Sequence, residues 1–193
     1  LFYNREEIRI IKNVDYVFAV NKTLLDRFAG CNKNMDVIPH GISTSHGYTE
    51  QLDNQIILTG TFTDRVNLQL LERLSATFQE TTIALYGPIL FKNKENTLKF
   101  NSLITNKNIN YLGFGSMKNV ESELKRSKIS IAIYLSNNLG NRLNSLKIIQ
   151  YLSFGKNIVT SFFEDYETIA KEGLIEMADD EDLFIEKCAT ILK

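Results

Sequence analysis

Cysteine is scarce in this sequence: Cys31 and Cys188 lie far apart and show no metal-type spacing. Neither points to an oxidising compartment. Cys31 is expected in a loop after a helix, and Cys188 on the apolar face of a last helix with Phe184 and Ile191. No apolar run approaches the roughly 20 residues that a membrane-spanning helix needs. The first segment carries Arg5, Glu6, Glu7, Arg9 and Lys12, which excludes it as a secretory signal. The formal net charge is -1, so electrostatics make no case for nucleic acid as the main partner. No Gly-x-Gly-x-x-Gly follows the first strand pattern, and no Gly-Lys-Ser/Thr phosphate loop occurs. Gly113-Phe114-Gly115 is a bare Gly-x-Gly. Histidine is rare too. His40 falls in a turn, where a structural role outweighs a catalytic one, and His46 falls in a polar stretch without an assigned role. The run Asp179-Asp180-Glu181-Asp182 looks like a metal site, but it more simply caps a helix, where negative charge complements the dipole.

What remains is an ordinary globular composition, with 44% hydrophobic residues over 193 positions. That length suits one domain with a proper core and at most a small appendage. Residues 1–41 read as a helix (1–12, with Ile8 and Ile11 inward), a strand (15–20), a short helix (22–28) and a brief strand (36–38) before Pro39-His40-Gly41. A polar connector without apolar periodicity follows over residues 42–54. From residue 55 to residue 193, strand and helix patterns alternate. Strands are expected at 55–59, 82–86, 108–112, 129–133, 157–160 and 173–177. Helices are expected at 67–78, 95–105, 117–127, 145–154, 165–171 and 180–192. Short all-apolar runs such as Ile129 to Ile133 fit a parallel sheet covered on both faces. Six such units with short links predict an α/β fold, a doubly wound Rossmann-like parallel sheet with helices on both faces. In such a sheet ligands bind beyond the carboxyl ends of the strands.

Residues 144–161 are the most informative stretch. Asn144 can cap a helix whose first amides lack partners. Ile148, Tyr151 and Leu152 follow helical spacing, while Lys147 and Gln150 share another face one turn apart. Gly155 can end the helix in a left-handed conformation, and a buried strand follows. A lysine in the first turn opposes the helix dipole unless an anion compensates. Together with the amides of Asn144, Ser145 and Leu146, Lys147 suits a phosphate. The turn Gly60-Thr61-Phe62-Thr63-Asp64-Arg65 offers a backbone that a ligand can approach closely and an arginine fork for phosphate oxygens. Taken alone, it fits a tight turn with a solvated arginine equally well. Phe114, a lone loop aromatic, fits a lid over the core. Ser136 to Arg142 suits either a segment near a bound sugar, with Asn141 and Arg142 hydrogen-bonding hydroxyls, or a solvated loop.

The sequence resembles the donor-nucleotide half of GT-B glycosyltransferases of the group 1 type. Ser145-Leu146-Lys147, Gln150-Tyr151-Leu152 and Gly155-Lys156-Asn157-Ile158-Val159 match that family's Pro-Leu-Lys, Glu-Tyr-Leu and Gly-Lys-Pro-Val steps. The departures are Ser145, Gln150 and Asn157. Ile38-Pro39-His40-Gly41 stands where the family has an Ile-Pro-Asn-Gly turn. The resemblance divides the chain into the tail of an acceptor domain (1–41), a connector (42–54) and a donor-binding domain (55–193). It implies a donor diphosphate held by Gly60, Thr61, Arg65, Asn144, Ser145, Leu146 and Lys147. Gln150 would take the ribose, while Gly87, Gly113 and Phe114 would line the nucleobase pocket.

The same resemblance implies transfer of a sugar from a nucleotide-diphosphate sugar to a glycan or lipid-linked acceptor. No cofactor or metal is implied. The setting would be polysaccharide assembly in the cytoplasm, with peripheral association at the inner face of a membrane. Because the chain begins at Leu1, a fragment lacking an N-terminal acceptor domain is expected, one that binds donor but transfers sugar poorly. Two other functions fit the pattern: a nucleotide-sugar epimerase of the same architecture, or a non-catalytic nucleotide-binding module.

Overall fold

The structure, a computed structural model, describes residues 2–41, 53–135 and 145–193, with side chains from residue 5 onward. It divides into two units, Leu1–Gly41 and Ile42–Lys193. The first contains α1 (Phe2–Asn13), β1 (Val17–Ala19), α2 (Lys22–Asp26) and β2 (Met35–Val37), with β1 and β2 paired in parallel. Asparagines do much of the tying. Asn32 Nδ2 donates to the carbonyls of Ile11 and Val14, and Asn21 caps α2 by accepting from the Leu24 amide.

The second unit alternates β3 (Asp53–Thr59), α3 (Leu68–Thr77), β4 (Thr82–Tyr86), α4 (Lys94–Leu103), β5 (Ile109–Gly113), α5 (Met117–Arg126), β6 (Ser127–Ala132), α6 (Leu146–Ser153), β7 (Asn157–Ser161), α7 (Glu167–Lys171), β8 (Glu176–Ala178) and α8 (Glu181–Leu192). The six strands form one all-parallel sheet in the order β5-β4-β3-β6-β7-β8. The winding direction therefore reverses between β3 and β6. Period-two alternation assigns each strand residue to a face. Ile56, Leu58, Ile83, Leu85, Ile129 and Ile131 pack with α3, α4 and α8. Ile57, Ala84, Tyr86 and Ala132 pack with α5, α6 and the segment before α7. Both faces are covered, which is why the strands read as unbroken apolar runs.

Several boundaries differ from the sequence-based expectation. β3 begins at Asp53, inside the stretch assigned to the connector, because its first two residues are exposed and polar yet still reach the ladder. β8 covers Glu176–Ala178 rather than 173–177, since Gly173 adopts φ +75° in the preceding turn. A 3-10 turn at Glu164–Tyr166 precedes α7, where one helix over 165–171 was expected. β1 and α2 are shorter than expected. Asp180 caps α8 through the Leu183 amide, as the acidic run suggested. Glu181 and Asp182 of that run pair with Arg73. Cys188 is fully buried in α8, and burial pushes its thiol up to about 12.

Lys156 is the lysine of the Gly-Lys step. It precedes β7, at the amino end of the sheet, and is buried there. Its ammonium donates to the carbonyls of Lys125 and Ser127, closing the end of α5, and burial lowers its pKa. The role is structural, on the edge opposite the carboxyl ends of the strands.

Candidate functional site

At the carboxyl edge, the turns after β3, β4 and β5 interlock through backbone hydrogen bonds. The Gly60 amide donates to Tyr86 O at 2.8 Å, and the Gly87 amide donates to Gly113 O at 2.8 Å. The Phe62 amide reaches Pro88 O at 2.9 Å, and the Tyr111 hydroxyl donates to Gly87 O at 2.9 Å. Gly60 and Gly87 hold φ of +111° and +146°, angles that L side chains resist. The result is a shelf of backbone over three strands. Asp64 ties it outward by accepting from the amides of Lys92 and Asn93 and from Asn96 Nδ2.

The Asn96 bond, followed by those amides, holds the Asp64 carboxyl below its ordinary value. The unfolded chain therefore takes up the proton first as pH falls. The stabilisation is complete above the ordinary aspartate value, about 4, and is lost as pH drops through the folded one. Asp64→Asn should remove this acid-sensitive component. The check is the slope of thermal stability against pH below about 4, steeper in the wild type than in the variant.

Helix α6 closes the shelf from the side. The Lys147 ammonium lies 3.0 Å from the position that a Cβ on Gly60 would occupy. It also stands over the Tyr134 ring, 4.9 Å from the centroid. The helix is anchored by the Tyr151 hydroxyl, which accepts from the Thr59 amide and bonds Thr59 Oγ1, both at 2.9 Å. Tyr151 is fully buried, and burial raises its pKa, keeping the hydroxyl protonated. At the first turn, Ser145 is the cap residue, but its side chain makes no capping bond. Its carbonyl accepts from the Ile148 amide at 2.9 Å and from the Tyr166 hydroxyl at 3.0 Å.

Between shelf and helix lies a cavity of about 280 Å³. Gly60, Thr61, Gly87, Phe114, Leu146, Lys147 and Gln150, all singled out from the sequence, line it together. Phe114, Met117 and Leu146 form an apolar rim, exposed by 80%, 60% and 53%. Gly113 sits beneath through its bond to Gly87. Arg65 does not line the cavity: its side chain points to solvent, while its carbonyl accepts from the Leu135 amide just past β6. Ser145 adjoins the cavity as the cap of α6, the place expected for Asn144, so the helix starts one residue later than expected. Asn144, Asn141 and Arg142 lie outside the described residues. A second cavity at this edge, about 230 Å³ near Tyr134 and Ser161, is walled by Asp179, Asp180 and Glu181, which disfavour an anion. Among the described residues, no group of three His, Cys, Asp or Glu could hold a metal ion, and no helix is long and apolar enough to cross a membrane.

Tyr151 and Tyr166 were missed as site-building residues. Tyr151 gives only an apolar-face signal in sequence, and Tyr166 gives none, since their partners are 92 and 21 residues away.

No family model and no curated protein matches the sequence. Solved structures do resemble it. Sucrose-phosphate synthase from Thermosynechococcus elongatus matches with a TM-score of 0.71 and 14% identity, over 96% of this chain and 51% of that one. Anabaena HepE, solved with UDP and glucose, matches at 0.69 and 14%, over 97% and 60%. TarM matches at 0.69 and 12%, over 97% and 39%. This chain thus spans between 39% and 60% of the length of those three proteins. The fold is that of the C-terminal half of GT-B glycosyltransferases, as the sequence motifs implied.

Proposed function

We propose that this chain binds the diphosphate of a nucleotide sugar and forms the donor-binding part of a glycosyltransferase acting on a glycan or lipid-linked acceptor. The observation that carries this is the Lys147 ammonium set against Gly60 at the carboxyl edge, in the first turn of α6. A lysine there opposes the helix dipole, and a bound anion offsets both. A diphosphate resting on Gly60 and Thr61 would meet this cation and the first-turn amides. Gln150, one turn on, would face the ribose, and the rim at Phe114 would receive the base. Charge developing on the leaving diphosphate would be stabilised in place, which lowers the barrier to transfer. Arg65, exposed and outside the cavity lining, would contribute less than Lys147.

Among the described residues, the cavity lining includes no carboxylate and no histidine. An epimerase that needs a paired acid and base is therefore less well supported than a transferase. The test is calorimetry with UDP, GDP and their sugars. Saturable binding by one nucleotide series, weakened in Lys147→Ala, is the expected result. Heat from none of them would replace this assignment with a non-catalytic module.

A further inference from the structure

Two buried hydroxyls hold α6 at both ends of its ligand-facing turn. The Tyr151 hydroxyl grips Thr59, the residue immediately before Gly60. The Tyr166 hydroxyl, 4% exposed as a residue, donates to the carbonyl of Ser145, the residue that opens the helix. The Ser145 side chain supplies no cap of its own, so the entry of the chain into α6 is oriented from outside the helix. Lys147 stands two residues past that carbonyl and one turn before Tyr151. These two bonds set the helix backbone that carries its ammonium, which among the described residues stands beside the Gly60 position and over the Tyr134 ring.

We propose that Tyr151 and Tyr166 are positioning residues for the anion cradle, one setting the distance between α6 and the Gly60 turn, the other the direction of the first-turn amides. The proposal rests on the donor-binding role above and deepens it. Anion binding at a helix start depends on the direction of N–H groups, so a small rotation of that turn costs affinity without unfolding the domain. Removing the Tyr166 hydroxyl leaves Ser145 O its bond from Ile148, so the fold stays intact. Tyr151→Phe takes a buried partner from the Thr59 amide and should also lower stability.

The experiment is a titration of the 193-residue chain with inorganic pyrophosphate, followed by amide NMR shifts. In the wild type, the Gly60 and Lys147 amides should move saturably. In Tyr166→Phe the affinity should fall roughly tenfold, the scale of one hydrogen bond to a charged group, with the urea midpoint close to wild type. Amide exchange at residues 146–148 should speed up in the same variant. Tyr151→Phe should show the same loss of affinity, measured on the folded protein. A purely structural role would lower stability yet leave pyrophosphate affinity unchanged, and that result overturns the proposal while leaving the anion site standing. Absence of any shift in the wild type would remove the anion site itself, and the positioning role with it.

Discussion

Lys147→Ala is expected to weaken nucleoside diphosphate binding about a hundredfold, or ~2.7 kcal/mol, while leaving the fold as stable or slightly more so. The two halves of this expectation have opposite signs, and that makes them diagnostic. In the free protein Lys147 stands in the first turn of α6, where the helix dipole disfavours a cation. Alanine removes that repulsion and is the best helix former. The Tyr134 contact returns only a fraction, being partly exposed. In the proposed complex the same ammonium would face phosphate oxygens on a shelf that shields one side from water, where a charge pair is screened less than at the open surface.

Lys147→Arg should not rescue binding. The ammonium already lies 3.0 Å from where a Gly60 side chain would begin, and a planar guanidinium needs more width than a point charge. Arg65→Ala should cost only about threefold, because an exposed cation outside the cavity lining contributes little. Calorimetry with the preferred nucleotide and a thermal melt of each variant measure both signs. Unchanged affinity in Lys147→Ala would end the phosphate assignment.

Much of this organisation is legible along the sequence, for a physical reason: a strand buried on both faces is an unbroken apolar run, and a helix on such a sheet has one apolar stripe. β4 was expected at 82–86 and occupies those residues; α5 and α6 fall within a residue of their expected ends. The edge strand β8 and the small elements of the first unit were placed less well, because three-residue strands leave too short a pattern to fix an end.

The cavity residues were legible in groups, since each turn follows a recognisable strand. What binds the groups together was not. Asp64 reads as one more polar turn residue, yet it ties the β3 turn to the start of α4. Lys156 reads as a basic residue beside Lys147 in the same motif, yet it belongs to the opposite edge, because one strand length separates the two ends of a βα unit. Such roles depend on contacts between distant segments, and no local periodicity encodes them.

Gly87 is the strongest example, and its replacement carries the largest expected effect on the fold. In Gly87→Ala the new Cβ would fall 2.0 Å from the Gly60 carbonyl oxygen and 2.7 Å from its carbon, both backbone atoms that cannot swing aside. The backbone there holds φ +146°, which costs an L residue about 1–3 kcal/mol by itself. Overpacking adds a similar amount. A loss of about 4 kcal/mol follows, a large share of the roughly 5–15 kcal/mol that holds a domain together. Relief would require the β3 and β4 turns to part. That breaks the Gly60–Tyr86 and Gly87–Gly113 bonds and lowers the shelf beneath Lys147. Gly173→Ala is the matched control: φ is +75° and nothing lies within 4 Å of its Cβ, so only about 1 kcal/mol should be lost, with nucleotide binding unchanged. Urea denaturation of the two variants measures the difference. A Gly87→Ala protein within 1 kcal/mol of wild type would mean that the two turns do not touch, and that the cavity floor is not the rigid surface that a diphosphate site requires.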